Sequence, residues 1–215
     1  ASFRRPVPSA VLQLPDGLSL RVFGFHWKSQ LGIYDDGEDK ADLLAQSRAK
    51  QRAAIVRGCE SAALRLIGVK DLTTHDRPLL FAGDCNSDAA DGIVQNFLGE
   101  TPWSGMSRPE AEAVWKTKYW DIGSYFSHER GLSALFTHHH NGRYARFDAA
   151  MTSYHLYGPS PHSIGHFEDY WVYADHLQGA FKGWRASTVH RSRSDHAFPW
   201  FKLAFKRPQL GVACK

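Results

Sequence analysis

The stretch Pro78-Leu79-Leu80-Phe81-Ala82-Gly83-Asp84-Cys85-Asn86 constrains this chain more than any other. A short, continuously apolar run of this kind forms a strand buried on both faces. Gly83 ends the run, and Asp84 and Asn86 follow at positions i and i+2. Residues two apart on an extended chain project to the same side. A carboxylate and an amide therefore leave the end of a buried strand together. Ser87, Asp88, Asp91 and Gly92 then supply loop and turn chemistry. Taken alone, the pattern also suits a strand-end turn in which Asp84 and Asn86 only satisfy backbone N–H groups.

A strand buried on both faces needs layers to cover it. Ser9 to Leu14 and Leu18 to His26 flank a Pro15-Asp16-Gly17 turn and read as a hairpin. A long helix is predicted from about Lys40 to Leu66. Its core face would carry Leu44, Ile55, Cys59, Ala62 and Leu66, with Arg48, Lys50, Arg52 and Arg57 mostly elsewhere. Asp71 to Arg77 reads as polar loop, and Asp91 to Leu98 as a short helix. Residues 101–125, with Trp103, Trp115 and Trp120, follow no single pattern. Asn141-Gly142 is a strong hairpin signal between strands at Leu132 to Phe136 and Tyr144 to Ser153. Residues 156–185 show no clear period, and the chain ends as loop, then strand. This order predicts one mixed α/β domain over residues 1–215. With 215 residues, 43% of them hydrophobic, the chain can bury a sizeable core.

Composition narrows the partners. The formal charge of +4 suits an anionic partner. No apolar run approaches membrane-spanning length, and no secretory signal is visible. Three cysteines, Cys59, Cys85 and Cys214, make no disulfide framework. Oligomeric state is left open.

Polar residues recur at the edges of apolar strands. They are His26 in FGFHWKS, Asp84 and Asn86 in FAGDCN, Asp148 in RFDAAMTS, and Ser194-Asp195-His196 in RSDHAFPWFKL. Strand ends that converge on one rim can assemble a site from distant sequence. Carboxylates hold a hard divalent cation. A histidine backed by a carboxylate can act as a general base, and further donors can brace phosphate oxygens.

In this order the four segments resemble the endonuclease/exonuclease/phosphatase family, the deoxyribonuclease-like phosphoesterases. FHWKS looks like the family's strand with a phosphate-binding histidine, and GDCN is similar to its G-D-x-N signature. RFDAAMTS resembles its R-h-D strand (h being apolar), and SDH its closing S-D-H. Arg48 and Gln51 look like its helical R-x-x-Q. The likeness covers residues 18–200, about the last two-thirds of such a domain. It implies a four-layer sandwich of two mixed β-sheets flanked by helices. It implies hydrolysis of a phosphate ester by in-line attack of water with Mg²⁺ or Mn²⁺. His196 would be the base, oriented by Asp148. Asp195 would help bind the metal. Asn86 and His26 would hold non-bridging oxygens. Asp84 would orient the nucleophile or protonate the leaving oxygen, which requires a raised pKa. DNA or RNA is the expected substrate; a phospholipid or inositol-phosphate ester and a non-catalytic phosphate-binding role are the alternatives.

One departure matters. The family's domain begins with a strand ending in asparagine and a second strand bearing a Q-E pair, whose glutamate is the main metal ligand. Residues 1–25 contain neither Glu nor Asn. The resemblance therefore predicts an N-terminally incomplete domain with uncovered apolar surface. Other features carry milder expectations. His138-His139-His140 reads as an exposed hairpin tip, because neighbours on a strand face opposite sides. His155, His162, His166, His176, Tyr170, Trp171 and Tyr173 either line a groove or pack an irregular loop. Lys28 at a strand end, and Arg191 and Arg193 beside the proposed rim, are candidate phosphate contacts. Cys85 is expected to point into the core.

Overall fold

The computed structural model describes residues 3–14, 17–129, 135–140, 143–174, 177 and 196–206. Strands β1 (Ser9–Gln13) and β2 (Ser19–His26) lead into helix α1 (Leu43–His75) and strand β3 (Leu79–Asp84). Helices α2 (Gly92–Leu98) and α3 (Arg108–Thr117), strand β4 (Tyr119–Asp121) and helix α4 (Ile122–Glu129) follow. Strands β5 (His138–His140), β6 (Arg143–Ala145), β7 (Asp148–Ser153), β8 (Gly165–Tyr173) and β9 (Phe198–Phe205) complete the described order. The main sheet runs β1-β2-β3-β7-β4, and β5–β6 and β8–β9 form two small sheets. Only β2 and β3 are parallel within the main sheet; its other pairs are antiparallel. The protein is thus mixed α/β, with α1 as the crossover between its parallel strands.

Period-two alternation sorts the sheet's side chains into two cores. Phe23, Phe25, Leu79, Phe81, Ala149 and Met151 face one way and pack with Leu64 and Leu72 of α1 and Phe97 of α2. Leu20, Leu80 and Ala150 face the other way and pack with Ile122 and Phe126 of α4 and Phe167 and Tyr170 of β8. Among the described residues this makes three layers: helices α1 and α2, the main sheet, and the β8–β9 sheet with α4. Leu79, Leu80 and Phe81 are buried, as the apolar run requires.

Helix α1 departs from expectation in length and in facing. Asp42 caps its start by accepting the Leu44 and Ala45 N–H groups. It continues to His75, where Asp76 turns left-handed and donates its N–H to Leu72 O. The expected polar loop at Asp71 to Arg77 is therefore mostly the helix's last turn, with Asp71 paired to His75 and Arg77. The buried stripe is Ala45, Ala49, Ala53, Arg57, Glu60, Ser61, Leu64, Gly68 and Leu72. Leu44, Ile55 and Leu66 are 69%, 58% and 70% exposed, and Cys59 is exposed too. Small residues let the helix lie close to the sheet. At Gly68 a Cβ would stand 2.6 Å from both Phe81 Cζ and the Tyr119 hydroxyl.

Other expectations sort as follows. The β1–β2 hairpin forms, with Ser9 opposite Phe23; Pro15 and Asp16 lie outside the described residues. Asp91 caps α2 through the Ile93 N–H. The expected strand over 144–153 is two strands, β6 and β7. Residues 132–134 of its expected partner lie outside the described residues, and Leu135 and Phe136 are not in a strand; β5 pairs His140 with Arg143 across Asn141-Gly142, which also lies outside the described residues. Residues 165–173 form a strand that sequence left unassigned. A register shift between Phe167 and Asp169 breaks the alternation that would have marked it.

Candidate active site

The site is set by strand register. His26 ends β2 and pairs with Asp84 at the end of β3, and Asp84 pairs with Asp148 at the start of β7. Three polar residues from distant sequence thus form one row across three neighbouring strands. They occupy the same alternation phase as Leu80 and Ala150, so they project to the face that carries the β8–β9 sheet. Gly83 permits the close strand approach: a Cβ there would meet the Phe25 carbonyl oxygen at 1.9 Å.

His196 enters from the strand pair above. Its Nδ1–H donates to Asp148 Oδ2 at 2.8 Å, which anchors the ring. Its Nε2 lies 3.9 Å from Asp84 Oδ2. His26 Nε2 lies 3.3 Å from the same oxygen.

Asn86 adopts a left-handed conformation with φ 48°. Its backbone N–H donates to Asp84 Oδ1 at 2.7 Å, and its side-chain amide donates to Trp27 O and Asp84 Oδ2. The amide thus braces Asp84 and the end of β2. Burial pushes the Asp84 carboxyl above its ordinary pKa; the Asn86 N–H opposes this, and the nearby Asp148 adds to it. Burial lowers the His26 imidazole pKa against the pull of Asp84, and Arg5 and His196 lower it further. Cys85 points into the core, where burial holds its thiol well above the ordinary range.

Lys28 does not join this row. Its ammonium donates to Ser29 O, Ser29 Oγ and Leu31 O, and its N–H donates to the buried Glu60. Glu60 also accepts the Arg4 N–H, so α1 clamps both the N-terminal arm and the segment after β2. Arg48 pairs with Glu38, and Gln51 is exposed. His155 is buried beside Asp76 and shares a hollow with His162, and Tyr170 is buried, whereas Trp171 and Tyr173 are exposed. Asp195, Arg191, Arg193 and His176 lie outside the described residues.

Two residues that the sequence does not place at the site are in contact with it. His138 bridges His196 in antiparallel fashion, with ring centroids 4.8 Å apart, so β5 is no exposed tip at that position. Thr137, fully buried, accepts the Asp148 N–H. No local signal marks either one: the contact of His138 with His196 crosses about sixty residues of chain, and that of Thr137 joins a loop to the start of a strand 11 residues on. Arg146 of the R-h-D segment forms a two-pronged pair with buried Asp121, a structural contact.

Asp84, Asp148 and His196 each present a ligand atom, all within 4.8 Å of one another. Mg²⁺ takes one or two carboxylates and keeps several waters. Two adjacent carboxylates, one of them already raised by burial, fit such an ion.

No protein-family model and no curated protein sequence matches the chain. Among the solved structures to which it is similar are the following. The human Nocturnin catalytic domain is 13% identical with a TM-score of 0.41, over 69% of this chain and 41% of that one. Truncated TDP2 from Caenorhabditis elegans is 12% identical at 0.44, over 93% and 66%. An endonuclease/exonuclease/phosphatase family protein from Bacteroides thetaiotaomicron is 16% identical at 0.43, over 89% and 53%. The chain spans less than two thirds of the length of each. Among the described residues, no helix is long and apolar enough to cross a membrane.

Proposed function

We propose that the protein is a metal-dependent phosphoesterase of the deoxyribonuclease-like type, a single domain built on a four-layer sandwich. One observation carries the reading: the Asp148–His196 pair, Asp84 and His26 meet at a single rim, with His196 Nε2 at 3.9 Å and His26 Nε2 at 3.3 Å from Asp84 Oδ2. An attacking water seated between His196 Nε2 and Asp84 Oδ2 donates one hydrogen to each. His196 takes the proton as the water attacks, and Asp148 stabilises the imidazolium through Nδ1. His26 braces a phosphoryl oxygen from the far side of Asp84. Asn86 acts by holding Asp84 in place. Asp84 and Asp148, with Asp195 as a further proposed ligand, would hold Mg²⁺ or Mn²⁺, which offsets charge on the phosphoryl oxygens when bound.

A nucleic-acid phosphodiester is the substrate class we favour. The net charge of +4 supports it, as does the basic arm at Arg4 and Arg5, which lies near enough to His26 to lower its pKa. Arg191 and Arg193 are further proposed phosphate contacts.

The test is cleavage of a chromogenic phosphodiester with Mg²⁺, followed by a panel of DNA, RNA, sphingomyelin and inositol phosphates. His196→Ala should cut turnover by about 10³-fold or more, near the upper part of the range for a general base, with the melting temperature little changed. Wild-type turnover in that variant removes the mechanism.

A further inference from the structure

On the footing that Asp148 and His196 work as a pair, we infer that Thr137 is the positioning residue that holds them together. The two partners are 48 residues apart in sequence, and Thr137 binds the backbone at both. Its hydroxyl oxygen accepts the N–H of Asp148 at 2.8 Å and the N–H of Phe147 at 3.0 Å. Its carbonyl oxygen accepts the N–H of Ala197, next to His196, at 2.6 Å. Its own N–H donates to Ala145 O, which ties it to β6.

The neighbouring residue completes the frame. His138 bridges His196 across the backbone, and its ring lies between Phe147 (centroids 4.7 Å, nearly parallel) and His196 (4.8 Å, tilted). The Thr137-His138 dipeptide therefore touches the backbone on both sides of the hydrogen bond that anchors the His196 ring.

The hydroxyl is the informative atom. Phe147 and Asp148 stand where the chain enters β7, and their N–H groups both point at Thr137 Oγ1. Valine has threonine's shape and no acceptor. With it, two part-buried N–H groups lose their partner and Asp148 is free to shift relative to His196. Serine keeps the acceptor and loses only a methyl. A purely structural role would weaken folding in proportion to lost packing, whereas a positioning role follows the oxygen.

Two measurements on the full chain test this. The first is steady-state turnover of the chromogenic phosphodiester by wild type, Thr137→Val and Thr137→Ser. Thr137→Val should lower kcat by about 10- to 100-fold, the scale of a small misplacement, with KM within about twofold. Thr137→Ser should keep kcat within about threefold of wild type. The second needs no substrate: the proton NMR resonance of the His196 Nδ1–H, assigned by its loss in His196→Ala. It should appear far downfield in wild type and Thr137→Ser, and be shifted or broadened in Thr137→Val. Thr137→Val with wild-type kcat and an unchanged resonance overturns the inference. So does a loss of about 10-fold or more in kcat for Thr137→Ser, which is read against wild type even where the valine variant does not fold. If His196→Ala is itself fully active, the phosphoesterase reading fails instead, and the resonance alone decides the role of Thr137.

Discussion

A Cβ on Gly83 would sit 1.9 Å from the Phe25 carbonyl oxygen, and backbone cannot swing aside as a side chain can. Gly83→Ala must therefore push β2 from β3 just inside the row that holds His26 and Asp84. Overpacking costs typically 1–3 kcal/mol, and a clash with backbone belongs at the upper end. The expected loss is about 2 kcal/mol or more, read from the urea midpoint, with turnover reduced because His26 and Asp84 separate. An unchanged midpoint would mean that the strands part without cost. The surrounding residues explain why this part of the site is legible in sequence. Gly83 allows the approach, Asp84 faces the site, Cys85 faces the core, and Asn86 takes the left-handed turn that asparagine tolerates. Each of those roles follows from one-residue steps along a strand end. Thr137 and His138 are different, since nothing within ten residues of them says that they will meet Asp148 and His196.

Helix α1 shows the same contrast at the next scale. Its helical character was legible, but its facing was not. Periodicity identifies a stripe of large apolar residues, and a reader assumes that such a stripe is the core. Here the sheet it covers already carries Phe23, Phe25 and Phe81, so the helix must supply small residues. Ala45, Ala49, Ala53 and Gly68 do so, leaving Leu44, Ile55 and Leu66 outward. Strand β8 was hidden for a related reason, its alternation broken by one irregular step near Phe167. A pair of substitutions tests the facing. Gly68→Ala gains about 1 kcal/mol of helix propensity. It also places a methyl 2.6 Å from Phe81 and Tyr119, both fully buried, at about 1–3 kcal/mol. The net should be destabilising by roughly 1 kcal/mol. Leu66→Gln should stay within about 0.5 kcal/mol of wild type, as exposed positions do. A large loss in Leu66→Gln with a gain in Gly68→Ala would reverse the helix's facing.

The main sheet joins two polar clusters, because β7 runs from Asp148 at the rim to Ser153 at the far end. At that far end, Ser153 Oγ accepts the Leu79 N–H and turns its own hydrogen to His155 Nδ1. His155 Nε2 then faces Asp76 Oδ1 at 3.4 Å, and that oxygen also accepts the Tyr154 hydroxyl. Asp76 is the left-handed cap of α1, so this chain of bonds fastens the crossover helix to β7. Burial lowers the His155 pKa below its ordinary 6.5; Asp76 resists the shift and His162 adds to it. Folding therefore favours the neutral ring. Above pH 6.5 the ring is neutral in both states, and its contribution to stability is fully present. As the pH falls below 6.5 the unfolded chain binds the proton first, and stability declines until the folded pKa is passed. One such proton gives a slope of up to about 1.4 kcal/mol per pH unit. Urea unfolding between pH 7.5 and pH 5, compared between wild type and His155→Gln, isolates this group, since His26 and the other titrating residues are common to both. Glutamine can still donate to Asp76 but cannot take up a proton. The variant should be less stable at neutral pH and lose less on acidification, so that the two curves converge toward low pH. Parallel curves would show that His155 binds its proton equally well in the folded and unfolded chain, and that acid sensitivity arises elsewhere in the molecule.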